Sequence, residues 1–266
     1  YKLYDGNIIE GVLMKYKYAY TLCVSSQVGC RMGCAFCAST VGGLVRDLTA
    51  GEILGQVIAA NGDLDNASIS HIVLMGSGEP LDNYNNVVKF LRLVHEPDGI
   101  GIGLRNISLS TCGLVDKIYT LADERMPLTL SVSLHAPNDE LRRRLMPIAK
   151  KYSIGSIVKA AKYYFEATGR RVTYEYAMVD GVNDSLECAG ELAALLKGTG
   201  AHVNIIPVNS VDESGLLASR PARIAEFYKY LEDKGVSVTI RREMGADISG
   251  ACGQLRKSYM DTEKER

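Results

Sequence analysis

Between residues 21 and 241, short apolar runs bounded by turn residues alternate with stretches of helical period, and this alternation most constrains the fold. It predicts strands near 21–27, 70–76, 105–111, 128–134, 172–179, 202–208 and 236–241. Helices are predicted near 49–61, 84–95, 115–124, 153–167, 185–197 and 221–234. Thr49, Asp184 and Ser219 stand where N-caps are needed, and Gly198 and Gly235 where helices should stop. Repeated βα units give parallel strands joined by right-handed crossovers, in an open doubly wound sheet or a closed or partly closed barrel. Periodicity alone does not choose between them. There is no fixed-period repeat and no low-complexity linker, so one α/β catalytic domain is expected.

The size agrees. A chain of 266 residues suits two modest domains or one barrel-like domain of roughly 250 residues. An apolar fraction of 47% is too high for disorder, and 30 basic against 31 acidic residues exclude a uniformly basic binder. No run approaches the roughly 18–20 apolar residues of a membrane span. The start, Tyr1-Lys2-Leu3-Tyr4-Asp5-Gly6, carries neither an initiating Met nor a signal-peptide pattern, so the chain is expected to be part of a longer one.

Seven cysteines are an odd and unevenly placed set: Cys23, Cys30, Cys34 and Cys37 crowd together, while Cys112, Cys188 and Cys252 stand apart. A secreted disulfide scaffold would be shorter and its count even, so thiolates serving a metal or catalysis fit better. Cys30-x3-Cys34-x2-Cys37 puts three soft ligands within eight residues, and Gly29 and Gly33 give that loop conformational freedom. A [4Fe–4S] cluster normally takes four Cys, so three would leave one iron open to substrate. A structural zinc would need a fourth ligand, such as Cys23 or a distant His.

In an α/β barrel, chemistry sits at the carboxyl ends of the strands. The polar and glycine-rich segments fall there: Cys30 to Cys37 after the first predicted strand, then Gly76-Ser77-Gly78-Glu79-Pro80, then Ser110-Thr111-Cys112-Gly113. Ser133-Leu134-His135 closes the fourth and Pro207-Val208-Asn209 the sixth. The Gly99-Ile100-Gly101-Ile102-Gly103 run precedes a strand rather than leaving one, so it is a loop and not a dinucleotide fingerprint. Taken alone, Gly78-Glu79-Pro80 reads as a turn, His135 as a satisfied core residue, Glu10 as a solvated acid and Cys252 as an inert thiol.

The cysteine spacing, with Phe36 before the last Cys, resembles the radical S-adenosylmethionine (SAM) superfamily. Thr21-Leu22-Cys23-Val24-Ser25-Ser26-Gln27, Ser133-Leu134-His135-Ala136-Pro137-Asn138-Asp139 and Ala251-Cys252-Gly253-Gln254-Leu255 narrow the resemblance to the RlmN/Cfr family, from Asp5-Gly6 to Leu255. The resemblance implies a partial (βα)6 barrel over 21–245, an N-terminal extension over 1–20 and a C-terminal segment over 246–266. It also implies a cytoplasmic enzyme, monomeric and free of membranes, that methylates an adenine of 23S ribosomal RNA and, in the RlmN branch, of transfer RNA. A flavodoxin or ferredoxin would supply its electrons. Relatives carry an N-terminal helical accessory domain, which would precede Tyr1.

The site residues implied by the family follow by position. Cys30, Cys34 and Cys37 would hold a [4Fe–4S] cluster whose open iron binds SAM. Gly78 and Glu79 would receive the SAM ammonium, and Ser110, Ser133, Leu134, His135 and Asn209 would make further SAM contacts. A first SAM would methylate Cys252. A radical from a second SAM would activate that methyl group for addition to adenine. Glu10 would accept the ring proton, and Cys23 would resolve the adduct by closing a disulfide with Cys252. Cys112 and Cys188 have no matching role and read as structural.

C2 of adenine is the expected target, because Gln27-Val28-Gly29-Cys30-Arg31-Met32-Gly33-Cys34 looks RlmN-like. The alternatives are methylation at C8, the Cfr activity, and a non-catalytic metal-containing RNA-binding module. Ala149 stands where relatives carry Asn. From Leu141 to Arg171 there are nine basic residues (Arg142, Arg143, Arg144, Lys150, Lys151, Lys159, Lys162, Arg170 and Arg171) against Glu166 alone. Arg241, Arg242, Arg256 and Lys257 add to this basic flank, which is expected to dock a phosphate backbone.

Overall fold

Each of the seven predicted strands forms, trimmed or shifted at its ends, and each of the six predicted helices forms beside them. The computed structural model describes residues 1–17, 19–65, 67–208 and 215–241. Asn209, Cys252, Arg242, Arg256, Lys257 and the segment 246–266 lie outside the described residues. The described chain divides into two compact units, residues 1–31 with 37–110, and residues 32–36 with 111–241.

In the first unit, β1 (Val12–Lys15) pairs antiparallel with β2 (Tyr20–Cys23). A short hairpin, β3 (Gln27–Gly29) with β4 (Leu44–Asp47), follows, and the cysteine loop leaves its first strand. Helix α1 (Ala50–Gly62), strand β5 (Ile69–Leu74), helix α2 (Tyr84–His95) and strand β6 (Ile107–Thr111) complete it. β2, β5 and β6 run parallel. Thr49 caps α1 as expected: its Oγ1 accepts from Glu52 N at 3.2 Å, while Glu52 Oε2 accepts from Thr49 N at 2.9 Å. Such a reciprocal box satisfies two orphan donors and is worth about 1 kcal/mol.

The second unit begins with α3 (Val115–Asp123), β7 (Thr129–Ser133), α4 (Asp139–Leu145), α5 (Ile154–Thr168) and β8 (Thr173–Met178). It ends with α6 (Leu186–Leu196), β9 (His202–Pro207), α7 (Pro221–Asp233) and β10 (Ser237–Ile240). Strands β7 to β10 run parallel in that order. One face of this sheet is apolar: Leu130, Val132, Tyr174, Tyr176, Val203 and Ile205 are all buried, and Tyr176 meets Phe227 of α7 with ring centroids 5.2 Å apart. Each such side chain contributes about 1.5–3 kcal/mol. The alternate residues are polar, and Glu175, its pKa raised by burial, accepts from Asn204 Nδ2 at 2.9 Å.

Two predicted caps are corrected. α6 is capped by Ser185, whose Oγ accepts from Cys188 N, and α7 starts at Pro221 after Arg220 without a side-chain cap. Asp184 and Ser219 instead bond each other, Ser219 Oγ donating to Asp184 Oδ2 at 2.9 Å. Gly198 and Gly235 do follow the ends of α6 and α7, with φ of 75° and 77°.

Candidate active site

In the first unit, the segment 25–27 after β2 is held by main-chain bonds from Ser26 N and Gln27 N to Ser77 O and by a set of side-chain bonds. Gln56 of α1 accepts from Ser25 N through Oε1 and donates to Ser25 O through Nε2, both at 2.9 Å. Ser25 Oγ donates to Glu10 O at 2.7 Å and accepts from Ser77 N at 2.9 Å. Asn83 Nδ2 donates to Ser26 O and Leu48 O, at 2.9 and 2.7 Å. Gln27 Oε1 accepts from Glu79 N at 2.8 Å, and its Nε2 donates to Asp47 and Asp82.

The Gly76–Pro80 loop lies hard against this segment. A Cβ on Gly76 would come within 2.7 Å of Ser25 Oγ, and one on Gly78 within 2.6 Å of Gln27 Cβ. Gly78 also has φ of 107°, which side chains rarely adopt. Glu79 is buried, with Oε1 accepting from Leu81 N at 3.0 Å. The main chain at Glu10 and the backbone of Gly78 and Glu79 therefore share one frame, built by Ser25 and Gln27. Cys23, also buried, is the last residue of β2 and pairs with Val12 on one side and Val73 on the other.

The cysteine loop follows. Cys30 is buried, with its N–H donating to Gly43 O at 3.0 Å, while Cys34 and Cys37 are half-buried. Gly29 and Gly33 have φ of 76° and 71°, the left-handed conformations that let the loop turn tightly. The middle of the loop belongs to the second unit. There Ala35 N donates to Leu145 O at the end of α4 (2.9 Å), and Phe36 meets His135 edge-on, ring centroids 4.6 Å apart. Among the described residues no three His, Cys, Asp or Glu side chains are gathered into a metal-holding group. The fit to an iron–sulfur cluster therefore rests on the donor chemistry: three thiols on one permissive loop are soft ligands of the kind such a cluster takes.

The tip of β7 carries the other candidate contacts. Ser133 is half-buried, Leu134 is buried, and His135 is buried with φ of 54°, unusual outside glycine. Its Nδ1 accepts from Ala177 N at 2.9 Å, which assigns the ring proton to Nε2. Burial, then the Arg142 charge, pushes its pKa down to about 3, so the imidazole is neutral. Asn183 secures the arrangement, donating to His135 O and Ala177 O and accepting from Val179 N. Ser110 sits half-buried on β6 in the first unit. Cys112 and Cys188 are buried.

The basic flank needs one correction. Arg142 is fully buried and takes no part in a surface. It donates to Leu134 O (3.2 Å), Cys112 O (2.6 Å) and Ser133 O (3.2 Å), drawn inward by carbonyls that strand ends leave unpaired. Arg143, Arg144, Lys150, Lys151, Lys159, Lys162 and Arg171 are exposed and Arg170 is half-buried. Gln56, Asn83, Arg142 and Asn183 also build the site, though no sequence motif marks them for it. Only Asn183, in the turn-rich Asp180-Gly181-Val182-Asn183, carried a local signal.

Comparison with known proteins agrees with this layout. Residues 24–193 match the Radical SAM superfamily. The chain is 56% identical over 256 residues to the probable dual-specificity RNA methyltransferase RlmN of Clostridium novyi (strain NT), covering 96% of this chain and 74% of that one. The crystal structure of a radical SAM methyltransferase from Sphaerobacter thermophilus matches with a TM-score of 0.92 and 46% identity, over 95% of this chain and 75% of that one. Streptococcus suis SuiB bound to S-adenosylmethionine shares the fold alone, at a TM-score of 0.61 and 17% identity, over 82% of this chain and 50% of that one. Among the described residues no helix is long and apolar enough to cross a membrane. Fold, cysteine loop and relatives converge: the chain is an enzyme of the radical SAM superfamily and belongs, within it, to the RlmN family of methyltransferases, whose cofactors are a [4Fe–4S] cluster and SAM.

Proposed function

We propose that this enzyme methylates C2 of an adenine in 23S ribosomal RNA and in transfer RNA, through an S-methyl group carried on Cys252 and at the expense of two SAM molecules. The observation that carries the reading is the Ser25 hydroxyl, which ties the main chain of Glu10 to the glycine loop of Glu79. The main chains of the residues proposed as proton acceptor and cofactor contact are thereby tied through Ser25. The name of the Clostridium novyi relative, a dual-specificity RNA methyltransferase, supports the substrate class.

Cys30, Cys34 and Cys37 hold the cluster, which when bound supplies the electron that cleaves the second SAM. Glu79 receives the SAM ammonium, and Ser110, Ser133, Leu134 and Asn209 receive its remaining polar groups. His135, neutral and bonded through Nδ1, offers Nε2–H as a donor. Cys252 takes a methyl group by displacement from the first SAM, and for its carbon to bond the ring that group would first give up one hydrogen atom to the radical that the second SAM would supply. Glu10 takes the ring proton. The electron left over from the addition would return to the cluster. Cys23, as a thiolate, then attacks the Cys252 sulfur, and the bond from that sulfur to the carbon on adenine breaks. That carbon takes up a proton to complete the methyl group, and the disulfide closes as the RNA leaves. The exposed cations from Arg143 to Arg171 contact phosphates, so RNA affinity should fall steeply with salt.

Residues 1–20 form an extension, 21–245 the catalytic barrel and 246–266 the segment that delivers Cys252. The enzyme works as a cytoplasmic monomer supplied with electrons by a flavodoxin or ferredoxin. Mass spectrometry of SAM-exposed protein tests the reading: one methyl group on Cys252 is expected, and none there overturns it. Locating the methyl on the product adenine then decides between C2 and C8.

A further inference from the structure

Arg142 is a buried cation without an evident counter-charge in its hydrogen bonds. All three go to main-chain carbonyls, and its Nη1 has no hydrogen-bond partner among the described residues. Carbonyls satisfy donors but leave a unit charge uncompensated, and burying such a charge costs several kcal/mol. The anionic groups that act on it are the Cys112 and Cys34 sulfurs, when ionised, and Asp139. Asp139 already accepts from Ile154 N at 2.7 Å.

The cysteine loop is fastened to the same helix. Ala35, next to Cys34, bonds to Leu145 O three residues beyond Arg142. Gly33, on the other side of Cys34, faces Pro147, whose Cγ would lie 3.3 Å from an added Cβ. Helix α4, which carries the cation, and Pro147 just beyond its end thus seat the residues flanking Cys34.

We infer that Arg142 is the buried counter-cation of the iron–sulfur cluster, favouring its reduced form over its oxidised form. This rests on Cys30, Cys34 and Cys37 being the cluster ligands. A cluster held by thiolates is anionic and gains a further negative charge when it takes one electron, so a nearby unscreened cation favours reduction. The field of Arg142 reaches it through protein rather than water, so bulk salt has little influence. Arg142 is here a tuning residue, acting through its charge, while its hydrogen bonds go to main-chain carbonyls.

The test is anaerobic reconstitution of wild type, Arg142→Gln and Arg142→Lys with iron and sulfide, followed by a dithionite redox titration read by electron paramagnetic resonance. Each reduced cluster takes up one electron, supplied by oxidation of dithionite. At a fixed potential, R142Q should lower the ratio of reduced to oxidised cluster about tenfold, about 59 mV for a one-electron couple. R142K, which keeps the charge, should stay within about threefold of wild type. A purely structural role would shift thermal stability in R142Q and leave the potential in place, and an unchanged potential overturns the inference.

A second measurement needs only wild type. Its potential should be flat from low to high ionic strength, and a potential that falls with salt would trace the effect to exposed Arg143, Arg144 and Lys150 and overturn the inference. This arm decides the matter if R142Q does not fold. Failure of wild type to take up iron and sulfide would overturn the cysteine-loop reading itself, a distinct outcome.

Discussion

Gln56 grips Ser25 by both sides of its peptide unit, accepting from its N–H and donating to its C=O at 2.9 Å each. Replacing Gln56 with Leu should leave two buried main-chain groups without partners, at about 1–3 kcal/mol each. The urea midpoint should fall accordingly at unchanged slope. A midpoint equal to wild type would mean that the segment 25–27 is held by other contacts.

Gly78→Ala should lower SAM affinity about tenfold or more, since strain and overpacking each cost about 1–3 kcal/mol. The new methyl group would lie 2.6 Å from Gln27 Cβ, on a backbone with φ of 107°. Isothermal titration of the reconstituted protein with SAM measures the effect. Undiminished affinity would remove this loop from the cofactor site.

Cys252→Ala should abolish RNA methylation, whereas Cys23→Ala should permit the covalent protein–RNA adduct to form and block its release. A denaturing gel with labelled RNA distinguishes the two, because only the second variant retains the label. Methylation by Cys252→Ala would sink the two-thiol mechanism.

His135 contributes a pH dependence whose sign is fixed by burial. Its folded-state pKa of about 3 lies below the ordinary 6.5, so the unfolded chain takes up a proton that the folded chain refuses. The stability it contributes is complete above about pH 6.5 and is lost as pH falls toward 3, by about 1.4 kcal/mol per pH unit inside that window. His135→Gln, which cannot titrate, should show a shallower fall than wild type in denaturant midpoints between pH 6.5 and 4. Parallel profiles would mean that the ring is not buried neutral.

The regular elements were legible because their apolar periods are long: β8 and α5 fall within a residue or two of expectation. The β3–β4 hairpin escaped because three residues of strand beside a glycine-rich cysteine loop carry no usable period. Helix α4 escaped because Asp139-Glu140-Leu141-Arg142-Arg143-Arg144-Leu145 reads as a solvated charge run. Whether Arg142 points inward depends on carbonyls of Cys112, Ser133 and Leu134, which the fold, not the neighbouring residues, brings to it. The same holds for Asp184 and Ser219: each looks like a cap locally, yet they find one another across 35 residues. Site residues that donate or accept within a motif were visible, and those that hold the motif from a distance were not.

Cys23 is paired in register on both sides, to Val12 and to Val73. A backbone held on both sides makes a poor traveller. In any exchange that uses it, the approach distance must be covered by the other participant, and the angle of attack is set by the lie of β2. Were Cys23 to resolve the proposed adduct, it would be a fixed berth, and the pace of release would be set by whatever docks against it.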